Sequence, residues 1–122
     1  MTEKTIAPYG AWASPITADQ IVQGSVGLGQ IVVDDRDLYW SESRPSEKGR
    51  VTLMRRDAAG EVAEVLPPDF SMRSRVHEYG GGAYTVSNGV VYFVRDWDQC
   101  VWRMASGNTP EALTLGGTSR YA

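Results

Sequence analysis

The chain has little of the two side chains on which many active sites depend. Among its 122 residues there are one cysteine and one histidine. The single Cys100 can form neither an internal disulfide nor a CxxC metal site, and we expect it to be a buried thiol on a strand. His77 and scattered acids lack the paired spacing that a zinc site needs. We therefore expect no metal and no cofactor.

An excess of positive charge is also missing. Twelve Lys and Arg residues stand against fifteen Asp and Glu residues, which gives a net charge of −3. Because no basic stripe is present, we do not expect the chain to bind nucleic acid. Asp34, Asp35 and Asp37 could hold a cation loosely, but such a cluster is more typical of a solvated hairpin turn.

Long hydrophobic runs are absent as well. No run approaches the roughly 18 apolar residues that a membrane span needs. The first ten residues, MTEKTIAPYG, lack the charged segment and apolar core of a secretory signal. These absences predict a cytoplasmic protein that does not contact membrane.

What the chain does contain is one short helix signal followed by strand signals. Thr17 is a suitable N-cap, Asp19 an acid for the first turn, and Gly24 a suitable stop, so we predict a short helix between them. After this helix, runs of four to six residues rich in β-branched and aromatic side chains alternate with turn residues.

Two stretches of the chain look like copies of one unit. Each begins with a hairpin, and the Asn88-Gly89 turn of the second is a strong hairpin signal. In each copy a loop, an alternating third strand, a small-residue turn and a fourth strand follow. The predicted strands cover residues 30–33, 38–43, 50–55 and 61–66 in the first copy, and 83–86, 90–94, 100–104 and 111–115 in the second.

Four short antiparallel strands that repeat at roughly 40–50 residues are typical of a β-propeller blade. We therefore predict an all-β fold: two four-stranded antiparallel blade-like units of an incomplete β-propeller, with a short N-terminal helix. Residues 1–28 would form the N-terminal segment, residues 29–72 the first blade, and residues 73–122 the second blade and the start of the next. A self-contained sandwich of eight strands is the alternative.

The candidate site is the segment SRVHEYGGGAYTV, residues 74–86. Arg75, His77, Glu78 and Tyr79 crowd together before three glycines. These side chains could line a substrate path, or they could form a hydrogen-bond network that orders the junction between blades, which is more typical of a lone histidine beside an acid.

A nucleophile is not evident anywhere in the chain. The nearest match to the G-x-S-x-G elbow of an α/β-hydrolase is at residues 117–121, which lacks the closing glycine. We therefore expect no catalytic residue among these 122.

Five runs of residues, in order, resemble the N-terminal part of bacterial prolyl oligopeptidase family serine peptidases. The most similar members are the acylaminoacyl-peptidase and dipeptidyl-aminopeptidase-like ones. The resemblance covers nearly the whole chain. The runs are Ala7–Trp12, Ser14–Ala18, Gly24–Gly29, Tyr39–Pro45 and Arg75–Tyr84.

The resemblance implies an N-terminal β-propeller followed by a C-terminal α/β-hydrolase domain, whose Ser-Asp-His triad hydrolyses peptide bonds of oligopeptides. The propeller would gate and position the substrate. Because the hydrolase domain is absent from this chain, the chain alone is expected to be inactive. Its partners would be an oligopeptide substrate and the hydrolase domain of the full-length enzyme, and a homo-oligomer is a further option. The alternative function is a stand-alone, TolB-like binding module without catalytic activity.

Overall fold

The computed structural model describes Lys4 and residues 6–122. Within these residues the chain forms one α-helix, eight strands and two short 3₁₀ helices, at Pro45–Glu47 and Val76–Glu78. The α-helix and the strands are α1 (Ala18–Val22), β1 (Gly27–Asp34), β2 (Asp37–Arg44), β3 (Arg50–Arg56), β4 (Val62–Glu64), β5 (Tyr84–Ser87), β6 (Val90–Val94), β7 (Val101–Ala105) and β8 (Glu111–Ala112).

The strands form two antiparallel sheets of four. Sheet 1 has the order β1-β2-β3-β4 and sheet 2 the order β5-β6-β7-β8. Each strand therefore pairs with its sequence neighbour, as in a propeller blade, whereas the Greek-key connections of a sandwich would exchange strands between sheets. The predicted fold class, two four-stranded antiparallel units with a short helix, is confirmed.

The helix begins as its capping residues predict. The Thr17 hydroxyl accepts a hydrogen bond from the Gln20 amide at 3.2 Å, and the Gln20 side chain accepts one from the Thr17 amide at 2.8 Å. This reciprocal pair satisfies two amides that a helix start would otherwise leave unpaired.

The fourth strand of each sheet is shorter than predicted. The strand expected at residues 61–66 is Val62–Glu64, and the one expected at 111–115 is Glu111–Ala112. In sheet 1, Pro67 and Pro68 have no amide hydrogen to continue the ladder, so the chain leaves the sheet and buries Leu66. Cys100 is buried as predicted, but it lies just before β7 and not on it.

The core lies between the two sheets, whose facing surfaces we call the inner faces. Leu53 on sheet 1 and Phe93 on sheet 2 are almost wholly buried, and Met72 fills the space where the chain passes between the sheets. Burying each such side chain stabilises the fold by about 1.5–3 kcal/mol. The rest of the core consists of Tyr39, Leu66, Phe70, Tyr84, Val86, Val91 and Met104.

Polar contacts join the sheets along β1 and β5. The Gln30 side chain donates to the Tyr84 carbonyl at 2.6 Å and accepts from the Ala83 amide at 3.0 Å. The Asp34 carboxylate accepts from the amides of Asn88 at 3.1 Å and Gly89 at 2.7 Å. Asp34 lies at the predicted hairpin turn, where it pairs with Asp37. Its carboxylate is not only solvated, because it reaches across to the turn of the next hairpin.

Candidate functional site

The candidate segment begins where the chain crosses from sheet 1 to sheet 2, and Gln99 holds it in place. The Gln99 side-chain amide donates to the carbonyls of Arg73 at 2.9 Å and Asp96 at 2.7 Å. Its oxygen accepts from the Arg75 amide at 2.8 Å. The Ser74 hydroxyl donates to the carbonyl of Tyr121. A buried glutamine with three partners fixes this part of the backbone.

The Arg75 side chain forms an ion pair at the edge of this segment. Its guanidinium lies 2.7 Å and 2.9 Å from one carboxylate oxygen of Asp96. Because the Arg75 side chain is 52% exposed, solvent screens the pair, and it contributes at most about 1 kcal/mol to stability. The pair orients the guanidinium more than it stabilises the fold.

The next residues adopt a strained backbone. His77 and Glu78 have left-handed φ angles of 51° and 64°, within a 3₁₀ turn at Val76–Glu78. Such a conformation costs a residue with a side chain on the order of 1–3 kcal/mol, and residues of this kind cluster at binding sites. The amide of Gly80 donates to the carbonyl of Val76 at 3.0 Å and closes the turn.

Gly80 is required at the end of this turn. Its φ angle is +85°, and a side-chain carbon there would lie 2.8 Å from the Ser74 carbonyl oxygen. Any larger residue would meet both a disfavoured conformation and a backbone clash. The predicted role of this glycine run, to let the chain turn into the first strand of the second unit, fits this geometry.

The structure does not bring all four candidate residues together. Arg75 binds Asp96, whereas the side chains of His77, Glu78 and Tyr79 are exposed, Tyr79 by 96%. Among the described residues, neither the imidazole of His77 nor the carboxylate of Glu78 has a hydrogen-bond partner. The expected ordering network therefore forms through Arg75 without His77. As a substrate path, the four residues stay a prediction.

The sequence did not indicate which residues bind this segment. Asp96 and Gln99 lie in the loop between β6 and β7, more than 20 residues along the chain, where they read as ordinary loop residues. No periodicity links them to residues 73–75. Their role depends on the isolated bridge between Met72 and Arg95, which brings the two segments side by side.

The same loop contains a stacked arginine that the sequence also did not reveal. The Arg95 guanidinium lies 3.8 Å from the ring centre of Trp102 and 3.9 Å from that of Trp97, and it pairs with Asp98. Burial alone would raise the pKa of Asp98, but hydrogen bonds from Arg95 and the Cys100 amide outweigh burial and lower it. The loop that supports the candidate segment thus contains a stacked ion pair between Arg95 and Asp98.

In the part of the chain that the structure describes, no three His, Cys, Asp or Glu side chains are grouped so that they could hold a metal ion. The described helix is too short and too polar to cross a membrane.

No protein-family model matches the chain, and no curated protein sequence matches it either. Several solved structures do match the chain. Over 91% of its length, the chain is 35% identical to a puromycin-hydrolyzing peptidase of Mycobacterium tuberculosis, with a TM-score of 0.75. A puromycin hydrolase is 33% identical over 91%, with a TM-score of 0.76. A mutant of puromycin hydrolase complexed with PGG is 34% identical over 88%, with a TM-score of 0.75.

In each comparison the chain spans only 18% of the length of the neighbouring protein. These neighbours are peptidases of the prolyl oligopeptidase family. The resemblance to the N-terminal propeller part of such a peptidase is therefore confirmed, and the two sheets correspond to part of a propeller-like domain.

Proposed function

We propose that this chain forms part of the β-propeller of a serine peptidase of the prolyl oligopeptidase family, in which it gates and positions oligopeptides for a separate α/β-hydrolase domain. The observation that carries the proposal is its similarity, at 33% to 35% identity, to puromycin hydrolases over about nine-tenths of its length. Residues 29–72 and 73–122 would each contribute one blade, the second with the start of the next. The other four-fifths of such a protein leaves room for the hydrolase domain.

The candidate segment would form part of the substrate path. Its backbone is held by Gln99, and the Arg75 guanidinium is oriented by Asp96, so the exposed side chains of His77, Glu78 and Tyr79 extend from a fixed base. An imidazole, a carboxylate and a phenol can bind the amide groups and the positive end of a peptide. They would position the substrate, and the reacting serine would lie outside this chain.

The names of the neighbours supply the first substrate to test, which is puromycin. It joins an amino acid to a nucleoside through an amide bond, so that its hydrolysis is a peptidase reaction. We further propose a cytoplasmic location, which is testable by fractionation of the source cells.

The test is a chimera. The segment of the Mycobacterium tuberculosis peptidase that matches this chain is replaced by the chain, and the purified chimera is assayed for release of the amino acid from puromycin. We expect hydrolysis by the chimera and none by the 122-residue chain alone.

Two controls make the result decisive. A version of the peptidase lacking the segment should be inactive, and the melting temperature of the chimera should show that it folds. A folded chimera that does not hydrolyse puromycin or short peptides would overturn the proposal. Hydrolysis by the isolated chain, blocked by a serine-directed inhibitor, would overturn it as well. Tight binding of peptides by the isolated chain, without any effect in the chimera, would favour a stand-alone binding module.

A further inference from the structure

A cavity of about 410 Å³ lies between the two sheets, and both of its walls belong to this chain. Sheet 1 contributes residues of β2, β3 and β4 and those just after β4, and sheet 2 contributes residues of β6 and β7 and the turns that follow β5 and β7. These walls do not depend on what precedes or follows the two sheets. Among the described residues that line the cavity, none belongs to the candidate segment at residues 74–86.

The floor of the cavity is apolar. Leu66, Val91 and Met104 line it, and each is at most 5% exposed. The cavity has room for a ligand of roughly a dozen non-hydrogen atoms, at the packing density of an organic liquid. Sites for small molecules are typically built in this way, from apolar side chains and a few polar groups that fix the orientation of the ligand.

The phenol of Tyr39 supplies a buried polar group to this cavity. Tyr39 is only 3% exposed, and among the described residues its hydroxyl has no hydrogen-bond partner. No side-chain oxygen or nitrogen in the described part of the chain is both fully buried and without a partner. Since Tyr39 lines the cavity, its hydroxyl opens into that space, where it can donate a hydrogen bond to a ligand.

Arg55 places a guanidinium beside this phenol. Tyr39 on β2 and Arg55 on β3 are directly opposite each other, and Ala63 on β4 is opposite Arg55. All three residues line the cavity. Burial raises the pKa of Tyr39, and the positive charge of Arg55 opposes that rise, as the charge of a close neighbour does. The row of residues across the three strands thus brings a phenol and a cation to the same wall.

The Arg55 guanidinium is only partly engaged by the protein. Its Nε and Nη2 lie 2.8 Å and 2.6 Å from the same carboxylate oxygen of Asp37, whereas Nη1 has no partner among the described residues. The other carboxylate at the cavity, that of Glu64, is bound by two other arginines and a threonine hydroxyl. Both acids are therefore already paired, and Nη1 of Arg55 and the hydroxyl of Tyr39 are left as donors.

We propose that this cavity binds a small carboxylate with an apolar body. The carboxylate accepts hydrogen bonds from the Tyr39 hydroxyl and from Nη1 of Arg55, because two neighbouring donors, one of them charged, suit an acceptor with two oxygens. The apolar body lies on Leu66, Val91 and Met104. This site is separate from the proposed substrate path, and it needs only the two packed sheets, so it can exist whether or not the chain serves a peptidase.

The test is a titration of the 122-residue chain with 4-phenylbutanoate, a carboxylate with an apolar body of the right size. Amide spectra of the ¹⁵N-labelled chain report on Gly89 and Gly107, which line the cavity, and on Gly24 and Gly49, which do not. We expect saturable shifts at the first pair alone, with a Kd on the order of 1 mM or tighter. The uncharged 4-phenylbutanamide has the same body and should bind at least about fivefold more weakly.

Three substitutions each change one feature of the site. Tyr39→Phe keeps the ring and loses the hydroxyl, so it should weaken binding about fivefold, and Arg55→Gln removes the charge and should weaken it about tenfold. Ala63→Phe places a ring beside Arg55 and should prevent binding. Tyr92→Phe is the matched control, because Tyr92 pairs with Arg103 in sheet 2 as Tyr39 pairs with Arg55, and neither residue lines this cavity.

Circular dichroism and melting show whether each variant folds. Ala63 is exposed, so Ala63→Phe keeps the test available if a variant of the buried Tyr39 does not fold. Should the isolated chain itself not fold, the same titrations are made on the chimera, with binding read from saturation transfer to the ligand. Neither readout measures hydrolysis, so the two proposals can fail separately.

The proposal is overturned by the absence of saturable shifts at Gly89 and Gly107, or by shifts of the same size at Gly24 and Gly49. Equal binding of the amide and the carboxylate overturns it as well. So does unchanged binding in folded Arg55→Gln or Ala63→Phe.

Discussion

The phenol of Tyr84, on the first strand of sheet 2, donates a hydrogen bond to the backbone carbonyl of Gln30, on the first strand of sheet 1. The Gln30 side chain forms two further hydrogen bonds, to the backbone of residues 83 and 84. Tyr84 is only 6% exposed. The two blades are therefore joined near their first strands by an interlocking polar contact within an apolar core.

This contact predicts a loss of stability in alkaline solution. Burial raises the pKa of Tyr84 to about 12, from a model-peptide value near 10. Below pH 10 the phenol is neutral in both the folded and the unfolded chain, and its contribution is complete. Between about pH 10 and pH 12 the unfolded chain ionises first, so the stabilising contribution falls, by up to roughly 3 kcal/mol.

Urea unfolding at a series of pH values checks this prediction with Tyr84→Phe. At pH 7 the variant should be less stable than the original chain by about 1 kcal/mol, for the lost hydrogen bond. The difference should shrink, and then reverse, as the pH passes 10. Tyr79→Phe, at an exposed position, is the control and should follow the original chain throughout. Parallel pH curves for Tyr84→Phe and the original chain would contradict the assignment.

The Asp34 carboxylate should stabilise the packing of sheet 1 on sheet 2. Asp34→Asn keeps one acceptor oxygen and loses the charge, so that one of the amides of Asn88 and Gly89 loses its partner. We expect the free energy of unfolding to fall by about 1–2 kcal/mol. Asp35→Asn, at the neighbouring exposed position with a left-handed φ that Asn tolerates, should change it little. If Asp34→Asn lowers the free energy of unfolding no more than Asp35→Asn does, the contact contributes nothing to stability.

Gly80→Ala should destabilise the chain more than the same substitution at Gly107. Both glycines have positive φ angles, +85° and +75°, but only at Gly80 would the added carbon lie 2.8 Å from a backbone oxygen. The shared conformational cost is about 1 kcal/mol. The clash adds to it at Gly80, so we expect a total loss of roughly 2–3 kcal/mol there. Thermal melting of the two variants compares them directly, and similar melting temperatures would refute the clash.

His77→Asn should leave the stability of the chain unchanged to within about 0.5 kcal/mol, because the side chain is exposed and asparagine tolerates the left-handed conformation. In the puromycin-hydrolyzing chimera, the same substitution should raise KM more than it lowers kcat if His77 positions substrate. Lys4→Asn, at an exposed position of the N-terminal segment, serves as the control. A large fall in the melting temperature of His77→Asn with unchanged kinetics would show that His77 has a structural role and does not position substrate.

Much of the fold could be predicted because its signals are local. The capping pair of Thr17 and Gln20 involves residues three apart, and the Asn88-Gly89 turn requires two adjacent residues with positive φ. Alternation along each strand and its return after the turn placed β2 to β7 to within two residues at each end, whereas β1 begins three residues before its predicted start. The ends of β4 and β8 were predicted too far along, because the apolar pattern continues where the ladder stops.

The candidate site was predicted only in part. Its strained turn lies within the run that the sequence singled out, since histidine, glutamate and three glycines stand together there. Which of those side chains find partners depends on Gln99 and Asp96, and nothing local indicates that these residues lie beside Arg75.

Local signals in the sequence, namely helix caps, turn residues and strand alternation, were thus sufficient to predict the secondary structure and the repeat. The runs of residues shared with a known family were also visible in the sequence alone. The tertiary structure alone decided that Asp34 reaches the next hairpin, that Gln99 holds the crossing segment, and that His77 is exposed. The contacts of Asp34 and Gln99 with these segments join residues 24 to 55 positions apart. Such pairs meet only after the two sheets have packed, because burial of the shared apolar core sets the position of one sheet on the other, and the polar groups must then find partners within that arrangement.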